Sequence, residues 1–416
     1  TSIDGEGSTN FYIPGKRLKL FDVIVVGAGP AGSHVAGKLA ALGYETVVLE
    51  QKEKLDERVC CPGIIGQECA SSFDIDENVI LRRANSAKIY SPSGRLVKLW
   101  REETQAYIID RAAFNLTMAK QAQAKGAQYI LNSPVRNIEV RDDRVRVEVV
   151  HQEERSSFEA RVIVIAAGFG SKLVDLLGLS KTGDFVMGAQ AEVSAIEIDE
   201  VEVYLGQEIA PGFFAWLVPT SSHTALVGLL SRHNPGLYLR NFMLFLEAQG
   251  KIVSAEANLS YGGIPLKPLA RTCAERLVVV GDAAGQVKPT TGGGIYYGLL
   301  CANLAANILQ RALANNALSA KSLAAYERAW KRRLRQELRM GYWARKFYER
   351  LSDRQIDRIF AIIKSNGIDE ALLKAEDLSF DWHSSIVLHL LEHGAMSKAI
   401  ELMNIPLRLA RGSRNY

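Results

Sequence analysis

The sequence predicts an α/β protein: a helix-flanked parallel sheet that the chain leaves and re-enters, an inserted antiparallel sheet, and a helical C-terminal region. Three observations predict it. Residues 21–50 read as strand, glycine turn, helix and second strand. Residues 275–309 carry another strand, a Gly-Asp turn and an apolar helix. Alternating runs fill the interval between them, and helical periodicity follows.

In the first element, Phe21-Asp22-Val23-Ile24-Val25-Val26 is a short β-branched run suited to a strand buried on both faces. Gly27-Ala28-Gly29-Pro30-Ala31-Gly32 follows, reading G-x-G-x-x-G. Val35, Leu39, Ala40 and Leu42 then recur at helical spacing until Gly43 stops the pattern. Thr46-Val47-Val48-Leu49-Glu50 is a second strand ending in an acid. The unit has the length of one βαβ repeat, about 30 residues. Each residue type has a physical task. Gly27 permits the tight turn, Gly29 lets backbone approach a pyrophosphate, and Gly32 lets helix and strand pack closely. Ala31 sits in the first helical turn, whose free N–H groups and positive dipole end favour phosphate. Glu50 stands where a carboxylate accepts from ribose hydroxyls. Together these predict a Rossmann-type dinucleotide site.

The second element identifies the dinucleotide. Leu277 to Val280 form a buried strand, followed by Gly281-Asp282-Ala283-Ala284, then Gly292-Gly293-Gly294 and an apolar helix from Ile295. Asp282 falls at the carboxyl edge of the sheet, where it can accept from ribityl hydroxyls. The triple glycine lets backbone lie flat against a ring system. The pair of motifs resembles the two FAD motifs of the glutathione-reductase-type flavoproteins, which implies a discontinuous FAD domain. Two further segments resemble parts of those proteins. One is Tyr107 to Phe114, in which Arg111 opens a helix near the cofactor. The other is Val162 to Gly168, a strand ending in a small-residue turn beside the FAD. Aromatic hydroxylases carry Asp-Gly there, tied to pyridine-nucleotide use; this chain has Ala167-Gly168.

The expected division is 21–83 with 105–172 and 270–315 for the FAD domain, 84–104 with 173–269 for a substrate-binding β-sheet domain, and 316–416 for the helical C-terminal region. Ala87 to Tyr90 and Leu96 to Trp100 alternate around a Ser-Pro-Ser-Gly turn, and Val201 to Leu205 alternates likewise. These runs are expected to build an antiparallel sheet that roofs the flavin.

Composition bounds the rest. The chain has 416 residues, 48% of them hydrophobic, enough for a large core and two or three domains. A formal net charge of +4 gives no global case for a nucleic-acid partner. Cys60, Cys61, Cys69, Cys273 and Cys301 are too few and too irregularly spaced for a disulfide scaffold or a metal site. A reducing, cytoplasmic location is expected. There is no uncharged apolar stretch of about 18 residues, so no transmembrane helix is expected. The polar, Gly-rich N-terminal residues show no signal-peptide pattern.

Near the flavin, Phe214, Trp216 and Val218 alternate on one face of a strand that Pro219 ends. Such a face is an apolar wall suited to a greasy substrate, although aromatic strands also serve as plain core. Arg58-Val59-Cys60-Cys61-Pro62-Gly63 follows the second strand, so a thiol there can face the flavin. Neighbouring cysteines on an extended segment cannot both face one pocket. These segments, with the Gly281-to-Ile295 run, resemble the geranylgeranyl reductase family of FAD-dependent oxidoreductases over roughly residues 21 to 335. The resemblance implies that Cys61, with Cys60 as runner-up, falls on the family's Cys-Gly segment. It implies that Phe214, Trp216 and Pro219 fall on its substrate-cavity motif. Gly281, Asp282, Pro289 and Gly292 to Gly294 fall on its flavin-contact run. Pro62 stands where the family has Gly, and Phe214 where Tyr is commoner.

The expected activity is saturation of isolated carbon–carbon double bonds of a long prenyl chain, by hydride from flavin N5 coupled to protonation. Trp216 would face developing positive charge, and Cys61 is a candidate proton donor. The electron donor is NAD(P)H or ferredoxin, since no second intact G-x-G-x-x-G is present. The alternative is a flavin-dependent halogenase or hydroxylase, with Lys88 as its candidate lysine. A third reading is a flavin-containing lipid-binding or electron-carrying protein. Residues 326–350 mix arginines with aromatics, a pattern that also fits a peripheral membrane surface. A solvated face is the favoured reading, because Glu327, Glu337 and Glu349 are interleaved as salt-bridge partners.

Overall fold

The computed structural model describes residues 19–365 except 58, 152–153 and 180–182, together with 367–370 and 379–384. The N-terminal Gly-rich residues and most of the expected helical region past 370 lie outside the described residues.

The buried β-branched runs assemble one mixed sheet. Its order is Cys273–Ala274, Leu277–Val279, Glu154–Ile165, Leu20–Val26, Thr46–Leu49, Gln128–Ile130. Leu20–Val26 pairs in parallel with both Glu154–Ile165 and Thr46–Leu49, so the carboxyl ends of the two fingerprint strands lie side by side. Leu277–Val279 continues the parallel set on the far side of Glu154–Ile165. That register brings the Gly281 turn to the same sheet edge as the Gly27 turn. Helices Pro30–Ala40, Arg111–Ala124 and Ile295–Ala314 pack on one face over Val23, Val25, Val48, Val162, Val164 and Val278. A meander of Val135–Val140 and Val145–His151 covers the other.

A second sheet has seven strands, in the order Ser260–Pro265, Phe185–Ser194, Thr224–Ser231, Phe214–Pro219, Val201–Leu205, Ser86–Tyr90, Leu96–Trp100. It departs from the expected fully antiparallel sheet at one place: Val201–Leu205 and Ser86–Tyr90 run parallel. Those two strands come from separate excursions of the chain, so no hairpin turn fixes their relative direction. The sheet's two faces are both apolar. Ala215 and Leu217 face helix Pro235–Ala248, and Phe214, Trp216 and Val218 face the opposite way. A three-stranded antiparallel sheet of Ile64–Gly66, Ala106–Ile109 and Ile80–Ala84 lies beside that second face, contributing Ile64, Ala84 and Ile108 to its cluster. Helix Ala320–Tyr348 packs along Ile295–Ala314, and Asp353–Ser365 closes on Val97 of the outermost strand.

Candidate active site

Backbone geometry shapes the first turn. Gly27 has φ +105°, and a Cβ there would overlap the carbonyl oxygen of Ala166. A Cβ on Gly32 would overlap the carbonyl oxygen of Gly27. A Cβ on Gly29 would meet nothing within 4 Å, so open space lies where backbone is expected to face the pyrophosphate. Gly29 caps helix Pro30–Ala40 with no side-chain hydrogen bond, and Gly294 caps Ile295–Ala314 in the same way. Helix Arg111–Ala124, by contrast, is closed by Asp110, which accepts from the amides of Ala112 and Ala113 at 2.9 and 3.0 Å. Both glycine turns therefore leave helix amides free for a ligand.

Glu50 is 8% exposed. One of its carboxylate oxygens accepts from the Ala28 amide at 2.7 Å, and the other from Lys52 at 2.9 Å. It thus fixes the first loop while standing at the end of the second strand.

The two motifs meet. A Cβ on Gly281 would lie 3.2 Å from the Ala31 methyl, and one on Gly294 would lie 2.5 Å from Asp282 Oδ1. The Gly281 turn is braced from beneath. Gln286 Oε1 accepts from its amide at 2.8 Å, Gln286 Nε2 donates to the Tyr326 hydroxyl, and that hydroxyl donates to Val279. Asp282 shares a narrow cleft with Gly168 and Phe169. Burial pushes its carboxyl up, and Arg111 opposes that push. Gly292 lies under the second sheet: a Cβ there would stand 2.8 Å from Ile264 and 3.5 Å from Leu230.

Arg111 carries the test of a cofactor. Its Nε and Nη1 are buried with no hydrogen-bond partner among the described residues. Two unpaired buried guanidinium donors are costly, and an anion relieves them. A pyrophosphate between two uncapped helix ends supplies that anion, so the residues present fit FAD.

At the expected substrate wall, Trp216 is 6% exposed and its indole packs against Gly228, where a Cβ would overlap the ring. Phe214 sits 6.0 Å from it, tilted by 54°. The Trp216 Nε1 donor is buried and unpaired among the described residues. Pro219 ends the strand, opposite Ala225. The Cys60–Cys61 segment crosses the same sheet. Cys60 packs on Gly188 and Gly262, and burial, reinforced by Cys61, pushes its thiol up to about 12. Cys61 offers its carbonyl to Gln190 Nε2 at 3.4 Å. Lys88 lies apart, ion-paired with Glu200 at 2.8 Å. A larger open cleft of about 620 Å3 lies among His34, Phe73, Met118, Leu300 and Arg333 and holds none of the predicted site residues.

Sequence reasoning missed one component. Residues 380–384 dock against the Gly281-to-Ile295 run. Lys288 Nζ, buried, donates to the Phe380 carbonyl at 2.8 Å and pairs with Asp381 at 3.4 Å. Thr290 Oγ1 meets His383 Nδ1 at 2.5 Å. Asp381 also accepts from the Cys69 amide at 3.2 Å. Burial pushes the His383 imidazole down to about 3, so it is neutral at physiological pH. No local pattern in Phe380-Asp381-Trp382-His383 announces these contacts. The lone clue is Lys288, the one cation in the Gly-rich run from Gly281 to Gly294.

Fold and cradle define the class: this is an FAD-dependent oxidoreductase with a Rossmann-type cofactor domain. The family model described as lycopene cyclase protein matches residues 22–365. The chain is 30% identical over 363 residues to the digeranylgeranylglycerophospholipid reductase of Methanocaldococcus jannaschii, covering 84% of this chain and 93% of that one. It is 29% identical over 370 residues to the enzyme of the same name from Methanothrix thermoacetophila, covering 85% and 94%. A crystal structure of a geranylgeranyl bacteriochlorophyll reductase-like protein from Thermoplasma acidophilum superposes with a TM-score of 0.81 at 24% identity, covering 93% of this chain and 99% of that one. The chain belongs to the geranylgeranyl reductase family.

Proposed function

We propose that this protein saturates isolated double bonds in the geranylgeranyl-type chains of a prenyl lipid. One observation carries the reading: the face holding Phe214, Trp216 and Val218 belongs to an apolar cluster that also contains Ile264 and Leu230, the two side chains pressed over Gly292 of the flavin-contact run. In this reading, segments 21–83, 105–172 and 270–315 hold the cofactor, and 84–104 with 173–269 supply the substrate wall.

An isolated alkene has no carbonyl to take up the negative charge that hydride attack alone would leave, so protonation of one carbon runs ahead of hydride transfer and positive charge develops on the other, more substituted carbon until hydride quenches it. FAD, when bound and reduced, supplies that hydride from N5. The chain's own residues do the rest. Trp216 and Phe214 hold the prenyl chain and present π faces to the developing charge. The apolar cluster around them keeps out water that would trap it. Arg111, Glu50 and the two uncapped helix ends hold the cofactor's polar half. Cys61 Sγ holds the proton delivered to the other carbon. The tight packing of Cys60 on Gly188 and Gly262 supports assigning Cys60 to structure and Cys61 to chemistry. Each double bond consumes one hydride and one proton, and the two electrons carried by the hydride come from a pyridine nucleotide or a ferredoxin.

The test is anaerobic. Chemically reduced enzyme mixed with a geranylgeranyl lipid should regain the oxidised flavin spectrum as a product heavier by two hydrogens per bond appears. Oxygen consumption with halide incorporation, and no such product, would replace this reading with the halogenase one. The pairing of Lys88 with Glu200 leaves that rival without its lysine.

A further inference from the structure

Helix Ala320–Tyr348 has two unlike faces. Its inner face carries Leu323, Tyr326, Trp330, Leu334 and Leu338 into the core beneath the parallel sheet. Further along, Gly341 faces the flavin-contact run, where a Cβ would lie 3.2 Å from Pro289. Tyr342 packs in the cluster that holds Trp216. One helix therefore backs both the cofactor run and the substrate wall.

The outer face is cationic. Lys321, Arg328, Arg332, Arg335 and Arg339 are all exposed, at spacings of seven, four, three and four residues, which is one side of a helix. At 1.5 Å per residue the row is about 27 Å long. Trp343 continues it, stacked on Phe347 with centroids 5.8 Å apart and rings 11° from parallel.

The interleaved glutamates do not neutralise this row. Glu327 pairs with Lys331 at 2.7 Å and accepts from the Thr272 amide at 2.8 Å. Glu349 is held by Arg232 and by Lys346, the latter at 3.0 Å. Glu337 is buried and accepts from the amides of His383 and Ser384 at 3.1 Å. Among the described residues, none of the five cations of the row has an acidic partner. Nor does the helix expose a large apolar side chain.

We propose that this row is the surface by which the enzyme docks on the anionic headgroup layer of a lipid bilayer, electrostatically and without insertion. A straight cationic row matches a plane of phosphates. The row has no aromatic or aliphatic side chain at its centre of the kind that fills a pocket in a stable protein–protein interface. Trp343 stands at its end, as an amphipathic ring does at headgroup level. The inference rests on the prenyl-lipid reading, since such a substrate must be collected from a membrane.

Each cation near an anionic surface adds about 1 kcal/mol, about fivefold in affinity, so removing two lowers it about 25-fold. The test uses the full-length holoenzyme and its Arg332→Gln/Arg335→Gln variant. Both are co-sedimented with phosphatidylcholine vesicles, with and without phosphatidylglycerol, and assayed on detergent-dispersed geranylgeranyl lipid. Wild type should bind only vesicles containing phosphatidylglycerol, and more weakly as salt rises. The variant should bind about 25-fold more weakly while its flavin spectrum and detergent-phase turnover stay unchanged. Equal vesicle binding by the two proteins overturns the proposal. So does salt-sensitive capture of an acidic ferredoxin-type protein without vesicle binding. Vesicle binding with no reduction of any prenyl lipid would instead sink the catalytic reading and leave the surface standing.

Discussion

Replacing Trp216 with leucine separates its packing from the π-face role proposed for it. Full truncation to alanine would cost about 3–5 kcal/mol of stability. Leucine refills much of that volume. It also removes the unpaired indole N–H, relieving a penalty of about 1–3 kcal/mol. The net stability change of Trp216→Leu is therefore expected to stay within about 2 kcal/mol. Its catalytic effect should be larger than its effect on folding. A cation–π contact is worth about 0.5 kcal/mol in water and about 2 kcal/mol when desolvated. At 6% exposure the upper figure applies to Trp216, and about 2 kcal/mol of barrier is about 30-fold in rate. The assay is single turnover: dithionite-reduced enzyme is mixed anaerobically with the lipid, and flavin reoxidation is followed by absorbance. Trp216→Leu should slow about 30-fold with its flavin-to-protein ratio intact, and Trp216→Phe, which keeps a π face, should slow far less. Loss of flavin from the leucine variant would mean that the ring belongs to the cradle and not to the wall. Unchanged turnover would refute the charge-stabilising role.

Three further outcomes follow from the geometry. Glu50→Gln weakens a charge-assisted hydrogen bond to the Ala28 amide, a loss of about 1.5–3 kcal/mol, so FAD affinity should fall about 10- to 100-fold in a fluorescence titration of apoprotein. Gly32→Ala drives a methyl into the Gly27 carbonyl, and the variant should be recovered without flavin or not folded at all, as judged by absorbance and circular dichroism. Burial pushes the Asp184 carboxyl up, but hydrogen bonds from Arg232, Tyr342 and Lys346 outweigh it and hold it at about 2. A depressed carboxylate stabilises the fold above its unfolded pKa of about 4, and that contribution fades as pH falls towards about 2. Asp184→Asn should therefore flatten the thermal-stability profile in that window, and an unaltered acid limb would count against the Asp184 cluster.

The cradle was readable because its constraints are local in sequence. Gly27, Gly32, Gly281 and Gly294 are each required by backbone or a side chain that would meet a Cβ, and their spacing within a turn is fixed by covalent geometry. Burial on both faces made Val23 to Val26 and Val162 to Ile165 legible as strands. The alternation of Phe214, Trp216 and Val218 likewise separated the two faces of the second sheet. What stayed hidden depends on distant partners. Asp381 reaches the Cys69 amide across 312 residues, a pairing with no periodic trace. The parallel register of Val201–Leu205 on Ser86–Tyr90 also joins separate excursions of the chain. Glu337 looked like a surface salt-bridge partner because helical spacing alone does not tell an outward acid from one buried to receive backbone amides.

The clasp of Phe380 to Ser384 on Lys288 and Thr290 bears on when the Gly281-to-Ile295 run is completed during synthesis. A nascent chain exposes its first glycine fingerprint early, but the stretch from Lys288 to Thr290 gains these supports only when translation has passed residue 384. A product stopped before this clasp leaves a buried lysine uncompensated.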